Sequence, residues 1–312
     1  MAHGVGEEEQ IVVLGQATRD LVLRVAAVPD VGGSAIVEER IERMGGKGAN
    51  QAVGLRQVCP GRVTIAVIAV VGTDPAGDLV LGDAAGSGLD IDWVIRRGRT
   101  SLIVDLVDPG GSRRLLEDVP SESLLTERDV VAAADVIRSA DTVVLQLQQP
   151  TGALLAAARI AAETGTRIVL DGGIDGPGRD ELLAAAHVIR ANAREAAQLT
   201  GAQIVTEDDA AAAASDLMSH GPSVVALEVP GEGDLVAWPA GHRLFPYAED
   251  DDVVDRTGAG DAFVAGLVAA LRRGDEPERA GRLAADAASS TVRRLGGRPE
   301  LAHLVRVNGT RS

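Results

Sequence analysis

Lysine is nearly missing from this chain. Of its 30 basic residues, 29 are Arg, and the single Lys stands at position 47. Asparagine is almost as scarce, occurring only as Asn50, Asn192 and Asn308. Both residues use A-rich codons, so a GC-rich genome accounts for the scarcity but not for where the survivors sit. Arg does not replace Lys where a compact, flexible ammonium is needed, which draws attention to Lys47. Cys59 is the only cysteine, which excludes an intrachain disulfide. The five histidines, at 3, 187, 220, 242 and 303, are scattered, so no zinc-ligand spacing exists. Aromatic residues make up 2%, namely Trp93, Trp238, Phe245, Tyr247 and Phe263, and read as core or edge residues rather than a stacking platform. Basic charge is also short: 46 acidic residues leave a formal net charge of −16. A general nucleic-acid or anionic-membrane binder needs a basic face, so neither partner is expected. The longest apolar run, Val63 to Val71, is roughly half of a membrane span. The segment Met1 to Gln10 is acidic and lacks an apolar signal core, so a cytoplasmic setting is expected.

What is present is ample for a core: 312 residues, 46% of them hydrophobic. Ile11 to Leu14 reads as a first strand, followed by half-exposed alternation at Asp20 to Val25 and Ala35 to Met44. A helix is expected over Ala49 to Gln57, a buried strand over Val63 to Val71, and a helix over Asp74 to Gly86. Thr100 to Val107 and Ser112 to Val119 flank Asp108-Pro109-Gly110-Gly111, a strong hairpin signal. A βα rhythm follows. Helices are expected at 129–139, 152–164, 194–199, 208–219, 261–273 and 277–294, with strands at 142–147, 167–170, 188–190 and 223–227. Alternating strands and helices predict an α/β fold: a doubly wound, mostly parallel sheet flanked by helices. The early alternating pieces break that rhythm. They predict a small β-sheet lid from 17–44 and 98–119, set on a large domain of 1–16, 45–97 and 120–312.

Three segments carry chemistry. Asp255-Arg256-Thr257-Gly258-Ala259-Gly260-Asp261 leads into an apolar helix. Its glycines let several N–H groups converge at a helix N-terminus, a place suited to a phosphate or developing oxyanion. Asp261, in the first turn, can point a carboxylate into the same site; the plainer reading is a helix cap. Gly45-Gly46-Lys47-Gly48-Ala49-Asn50 also runs from glycines into a helix and holds the lone lysine. Asn192-Ala193-Arg194-Glu195 places an amide and a carboxylate three apart at a helix start, able to order Mg²⁺-bound water or simply to cap. No Walker A sequence is present, and the first strand is not followed by G-x-G-x-x-G.

Together these segments resemble the ribokinase-like (PfkB) carbohydrate kinases. Gly-Gly-Lys-Gly-Ala-Asn-Gln-Ala near residue 45 and Asp-x-Thr-Gly-Ala-Gly-Asp-x-Phe near residue 255 are similar to the family's two signatures, and Asn192-x-x-Glu195 to its Asn-x-x-Glu motif. The resemblance spans nearly the whole chain and implies a large α/β domain with a β lid. It implies Asp261 as general base and the N–H groups of Gly258, Ala259 and Gly260 as an anion hole. Asp20, Gly45, Gly46, Lys47, Asn50 and Gln148 match sugar-holding positions. Asn192, Glu195, Glu228, Gly231, Gly233 and Thr257 match the nucleotide, Mg²⁺ and phosphate side. Asp255, Thr257 and Gly296 match a monovalent-cation site. The implied activity is phosphorylation of a small-sugar hydroxyl by ATP with Mg²⁺, and with K⁺ as a further cation. A homodimer through lid edges is a further expectation.

Some positions depart from the ribokinase pattern. Gln148 stands where a Glu is usual, so the resemblance does not fix ribose as the sugar. Glu228-Val229-Pro230-Gly231-Glu232-Gly233 replaces a Thr-Leu-Gly-x-x-Gly strand end, adding a charge and removing a donor. A nucleoside kinase is a nearer alternative, although the lid segments lack Phe, Tyr and Trp. A phosphosugar kinase is another, because Arg40, Arg43, Arg113 and Arg114 could bind a second phosphate. A non-catalytic sugar sensor is the alternative of a different class.

Overall fold

The computed structural model describes residues 9–59, 61, 63–110, 113–247 and 253–308. The acidic segment before Glu9 and the turn residues Gly111 and Ser112 lie outside the described residues. The first strand, β1 (Glu9–Leu14), buries Ile11 to Leu14 completely. Two more polar strands, β2 (Thr18–Val25) and β3 (Val37–Gly45), precede the first helix, α1 (Lys47–Val58). Next come β4 (Val63–Val71), α2 (Pro75–Gly86), the short β5 (Val94–Arg96), β6 (Leu102–Val107) and β7 (Arg113–Asp118). The βα rhythm begins with α3 (Glu127–Ala132) and α4 (Ala134–Ser139), then β8 (Thr142–Gln146), α5 (Thr151–Glu163), β9 (Arg167–Asp171) and α6 (Arg179–Ala185). It continues through β10 (Val188–Ala191), α7 (Ala193–Thr200), α8 (Glu207–Met218) and β11 (Val224–Val229). A hairpin, β12 (Gly233–Trp238) and β13 (Gly241–Pro246), leads to α9 (Ala259–Arg272), α10 (Pro277–Thr291) and α11 (Ala302–Asn308).

Nine strands form the main sheet in the order β13-β12-β11-β10-β9-β8-β1-β4-β5. Strands from β11 through β5 run parallel, and β12 and β13 run antiparallel at one end. Side chains alternate across a strand, and here both faces are apolar, as a sheet covered on both sides requires. Val12, Leu14, Ala66 and Ile68 pack with Val130, Leu154, Leu182 and Leu217 on one face. Ile11, Val13, Ile65 and Val67 pack with Leu55, Phe263, Leu267 and Leu283 on the other. The chain enters at β1, in the middle of the sheet, and winds outward in both directions. That reversal opens a crevice at the carboxyl ends of the strands.

The second sheet has four strands in the order β3-β2-β6-β7. It is mixed: β2 and β6 run parallel, and each outer strand pairs antiparallel. This is the small sheet expected from the two alternating insertions. Its buried Val22 and Val107 pack on Leu295, which anchors the sheet against the loop after α10.

The expected helix over 129–139 is broken at Ala133, whose φ of −96° and ψ of 15° end α3 and start α4. The hairpin β12–β13, and with it β5, α6 and α11, had no strong signal. In β12, Leu235-Val236-Ala237 is buried without interruption, so no alternation marks it as a strand.

Candidate active site

Two glycine-led helix starts meet at the crevice. Gly46, at φ 86°, turns the chain into α1, and a Cβ there would sit 2.9 Å from the Gln16 carbonyl oxygen. Gly45 lies flat against the Asp20 carboxylate, leaving no room for a side chain. Gly258, at φ 72° and ψ 0°, turns the chain into α9, and a Cβ there would overlap the Gly297 carbonyl. Neither helix start carries a side-chain cap. In α1 the Ala49 N–H is taken by the Gln16 carbonyl at 3.0 Å, whereas Gly258, Ala259 and Gly260 at the start of α9 border the cavity. Gly260 packs face to face with the Arg190 guanidinium.

Asp261, 7% exposed, is held from α1 by two amides. Asn50 Nδ2 donates to its Oδ2 at 3.1 Å and Gln51 Nε2 to its Oδ1 at 3.3 Å. Gln51 Nε2 also donates to Asp171 Oδ2, at 2.8 Å. Lys47 Nζ donates to Glu195 Oε1 at 2.6 Å and lies 3.8 Å from Asp171 Oδ2. Asn192 and Glu195 form a reciprocal capping box on α7: Glu195 N–H donates to Asn192 Oδ1 at 2.8 Å, and Asn192 N–H to Glu195 Oε2 at 2.9 Å. The capping reading of this motif is therefore met, and the second Glu195 oxygen turns to Lys47.

Burial, reinforced by the nearby Asp171 charge, lifts the Asp261 carboxyl to about 7, against the pull of Lys47, Asn50 and Arg190. Burial lifts Asp20 to about 6, although Thr18 and the Gly46 N–H favour its charged form. Thr18 Oγ1 donates to Asp20 Oδ1 at 2.5 Å. Burial works against the Lys47 ammonium, but the carboxylates of Asp171, Glu195 and Asp261 outweigh it and hold the amine firmly protonated.

A cavity of about 320 Å³ opens beside this network. Lys47, Arg190, Asn192, Glu228, Gly258, Ala259, Gly260 and Asp261 line it, with Ala285, Ala288 and Val292 forming an apolar flank. Glu228 accepts from Tyr247 Oη at 2.9 Å and from the Ala193 N–H at 3.3 Å, so its charge is spent on the α7 start. Gly231, at φ 79°, and Gly233, pressed on the Phe245 carbonyl, shape the β11–β12 turn and do not line the cavity. Gln148 is exposed and accepts from Gln146 Nε2 at 2.7 Å; it does not reach the cavity either. Asp255 accepts the N–H of Thr257 at 2.8 Å and of Gly296 at 2.7 Å, tying two loops together. Thr257 Oγ1 donates to Asp105 Oδ2 at 2.7 Å and accepts from Arg113 Nη1 at 2.8 Å, both on the small sheet.

Gln51, Asp171, Arg190 and Asp234 were not foreseen as site residues. Gln51 sits inside a quoted motif without an assigned role. The other three are single charged residues at strand ends or inside a strand. The only sequence signal was their charge amid apolar neighbours, and strand order alone brings them beside α1 and α9.

The model for the pfkB family carbohydrate kinase matches residues 8–303. An ATP-dependent ribose-1-phosphate kinase from Halopiger xanaduensis is 32% identical over 293 residues, covering 93% of this chain and 94% of that protein. A bifunctional ribokinase/ribose-5-phosphate isomerase A from Fructilactobacillus sanfranciscensis is 30% identical over 292 residues, and the chain spans only 53% of its length. The structure of Arabidopsis thaliana ribokinase complexed with ribose and ATP superposes with a TM-score of 0.77 at 25% identity, covering 98% of this chain and 99% of that one. The chain belongs to the pfkB family of carbohydrate kinases.

Proposed function

We propose that the protein transfers the γ-phosphoryl group of ATP to a hydroxyl of a small sugar. One observation carries this reading: a buried carboxylate, Asp261, fixed by Asn50 and Gln51 at an uncapped, glycine-led helix N-terminus. Its pKa of about 7 suits a general base at neutral pH. Asp261 takes the proton of the sugar hydroxyl as that oxygen attacks the γ-phosphorus. The bond from phosphorus to the bridging oxygen breaks, and ADP leaves with the electron pair. The N–H groups of Gly258, Ala259 and Gly260 stabilise charge on the transferring group. Lys47 and Asn50 complete the sugar side, with Asp20 accepting from sugar hydroxyls. Strands from 17–44 and 98–119 act as the lid that excludes water.

Among the described residues no group of three His, Cys, Asp or Glu is placed to hold a metal ion. Mg²⁺ would enter as a partner of the nucleotide phosphates, neutralising their charge, with Asn192 at the cavity wall and Glu195 behind it as the residues that would order its water. The proposed K⁺ positions fit less well. Both Asp255 oxygens already accept N–H groups, and Arg43 Nη2 takes the Leu295 carbonyl at 2.9 Å. No step is assigned to K⁺.

The relatives named for ribose and ribose 1-phosphate point to a pentose or phosphopentose. Arg113 lining the cavity supports the phosphorylated substrate. Arg40 and Arg114 are exposed, and Arg43 is committed to Leu295, which supports a neutral sugar. The deciding experiment is a coupled assay of ADP release over pentoses, hexoses, nucleosides and phosphosugars, with and without K⁺. Absence of ADP release with every sugar tested, alongside sugar binding by calorimetry, would overturn the kinase reading in favour of a sensor. A cytoplasmic reaction agrees with the single, buried thiol of Cys59. Among the described residues no helix is long and apolar enough to cross a membrane. Pairing of lid edges into a homodimer would cover the exposed Ile36, Leu115 and Leu116.

A further inference from the structure

Arg190 is a charge in an apolar place. It sits in β10, in register with Asp171 of β9, and is only 8% exposed. A buried guanidinium is costly unless it is paired and hydrogen-bonded. Two carboxylates face it, Asp171 Oδ1 at 3.8 Å and Asp234 Oδ1 at 3.7 Å. Both distances exceed a hydrogen bond. Arg190 Nε, Asp171 Oδ1 and Asp234 Oδ1 each lack a hydrogen-bond partner. The acids thus hold the guanidinium chiefly by charge, with Asp234 in a long contact, and leave it without a short hydrogen bond to either. What little of Arg190 is exposed opens into the cavity, next to Lys47 and Gly258 to Asp261. A Cβ on Gly260 would lie 2.5 Å from Arg190 Nη1, so the guanidinium and the helix-start amides share one side of the cavity.

We propose that Arg190 is a further catalytic residue, whose unused donors bind a phosphate oxygen beside the α9 N-terminus during transfer. The planar fork of Arg matches two phosphate oxygens, and burial removes the competition from water. The phosphate is the nucleotide's. The cavity lined by Arg190 runs toward Glu228, Tyr247 and the apolar flank of α10; of the small sheet Arg113 borders it, but the proposed sugar residue Asp20 and Arg43 do not. A phosphate carried by the sugar offers the same chemistry and is separated by the test. The assignment rests on the kinase reading above.

The variants are Arg190→Lys, which keeps charge but not shape, and Arg190→Thr combined with Asp234→Val, which removes the cation and one counter-charge together. In both, kcat is expected to fall about 10²- to 10³-fold, the usual effect of losing one preorganised donor to a transition state. Sugar KM stays within about twofold, and calorimetric affinity for tripolyphosphate falls about tenfold or more, with millimolar guanidinium restoring part of the turnover in the double variant. Unchanged kcat and tripolyphosphate affinity in either folded variant would show that Arg190 only balances charge and would overturn the proposal. A rise in sugar KM with tripolyphosphate binding intact would overturn the nucleotide assignment. Tripolyphosphate binding that depends on Arg190, in a protein that phosphorylates no sugar, would keep the phosphate contact and sink the kinase reading instead.

Discussion

At the scale of single residues, Asp261 carries two linked consequences. In its proposed role as base it must be ionised, so kcat/KM should rise with pH through about 7 and level off above it. Asp261→Asn should fold and lose nearly all turnover; normal rates in that variant would remove the base assignment. The same raised pKa bears on stability. The folded state holds this proton more tightly than the unfolded chain, whose aspartates titrate near 3.8. The stability this proton confers is present below about pH 4 and is lost as pH rises to about 7, by a few kcal/mol in all on the order expected for such a shift. Asp261→Asn should melt above the wild type at pH 8, with the gap closing toward pH 4, as thermal scans at several pH values would show. Lys47 illustrates how much a residue count can reveal. The only lysine in the chain reaches Glu195 and Asp171 together, at 2.6 and 3.8 Å. Arg, longer and planar, does not fit that gap, so Lys47→Arg should cut kcat/KM at least tenfold; equal values would make Lys47 a bystander.

At the scale of elements, the two helix starts were readable because their glycines lie within a few residues of one another in sequence and have steric reasons to be glycine. Gly258 combines a positive φ with contact against the Gly297 carbonyl. Gly274, at φ 82° with open space around it, has the first constraint without the second. Gly274→Ala should therefore cost about 1 kcal/mol, and Gly258→Ala about 2 kcal/mol or more with loss of kcat, because only the latter pushes the anion hole off its partner loop. Denaturant melts and steady-state kinetics on the pair would check this. Equal stability loss would show that the 258–297 contact yields freely. Asp171 and Arg190 were not readable for the opposite reason. Each lies in a short, mainly apolar strand, Asp171 at the end of Arg167–Asp171 and Arg190 within Val188–Ala191, and their neighbours in space come from α1, α9 and β12. The parallel order β8-β9-β10 had to exist before their roles could be seen. Strand β12 escaped similarly, since a strand buried on both faces has no alternation to read.

At the scale of the whole molecule, the small sheet and the phosphate end of the site are joined by side chains from both. Asp105 and Arg113 meet at the Thr257 hydroxyl, one residue before the anion hole, and Arg43 holds the Leu295 carbonyl in the loop tied to Asp255. Leu295 itself is packed under Val22 and Val107. On the proposed function, a sugar that settles the small sheet would also settle Thr257 and Gly258, and with them the proposed phosphate seat. Sugar and nucleotide should bind with positive coupling, in the usual range of about 5- to 150-fold, and by thermodynamic necessity each should tighten the other equally. Arg43→Ala together with Arg113→Ala cuts two of the polar ties while leaving the apolar anchor. Such partly exposed contacts contribute little to global stability, so the variant should fold. Calorimetry of the sugar with and without a non-hydrolysable ATP analogue should show the coupling falling to about twofold or less. Loss of coupling should also let water reach the site more often, raising ATP hydrolysis in the absence of sugar relative to phosphoryl transfer. Full coupling in the double variant would mean that the small sheet closes independently of the loop at 255–258, and that its bonds to Thr257 and Leu295 only set its resting position.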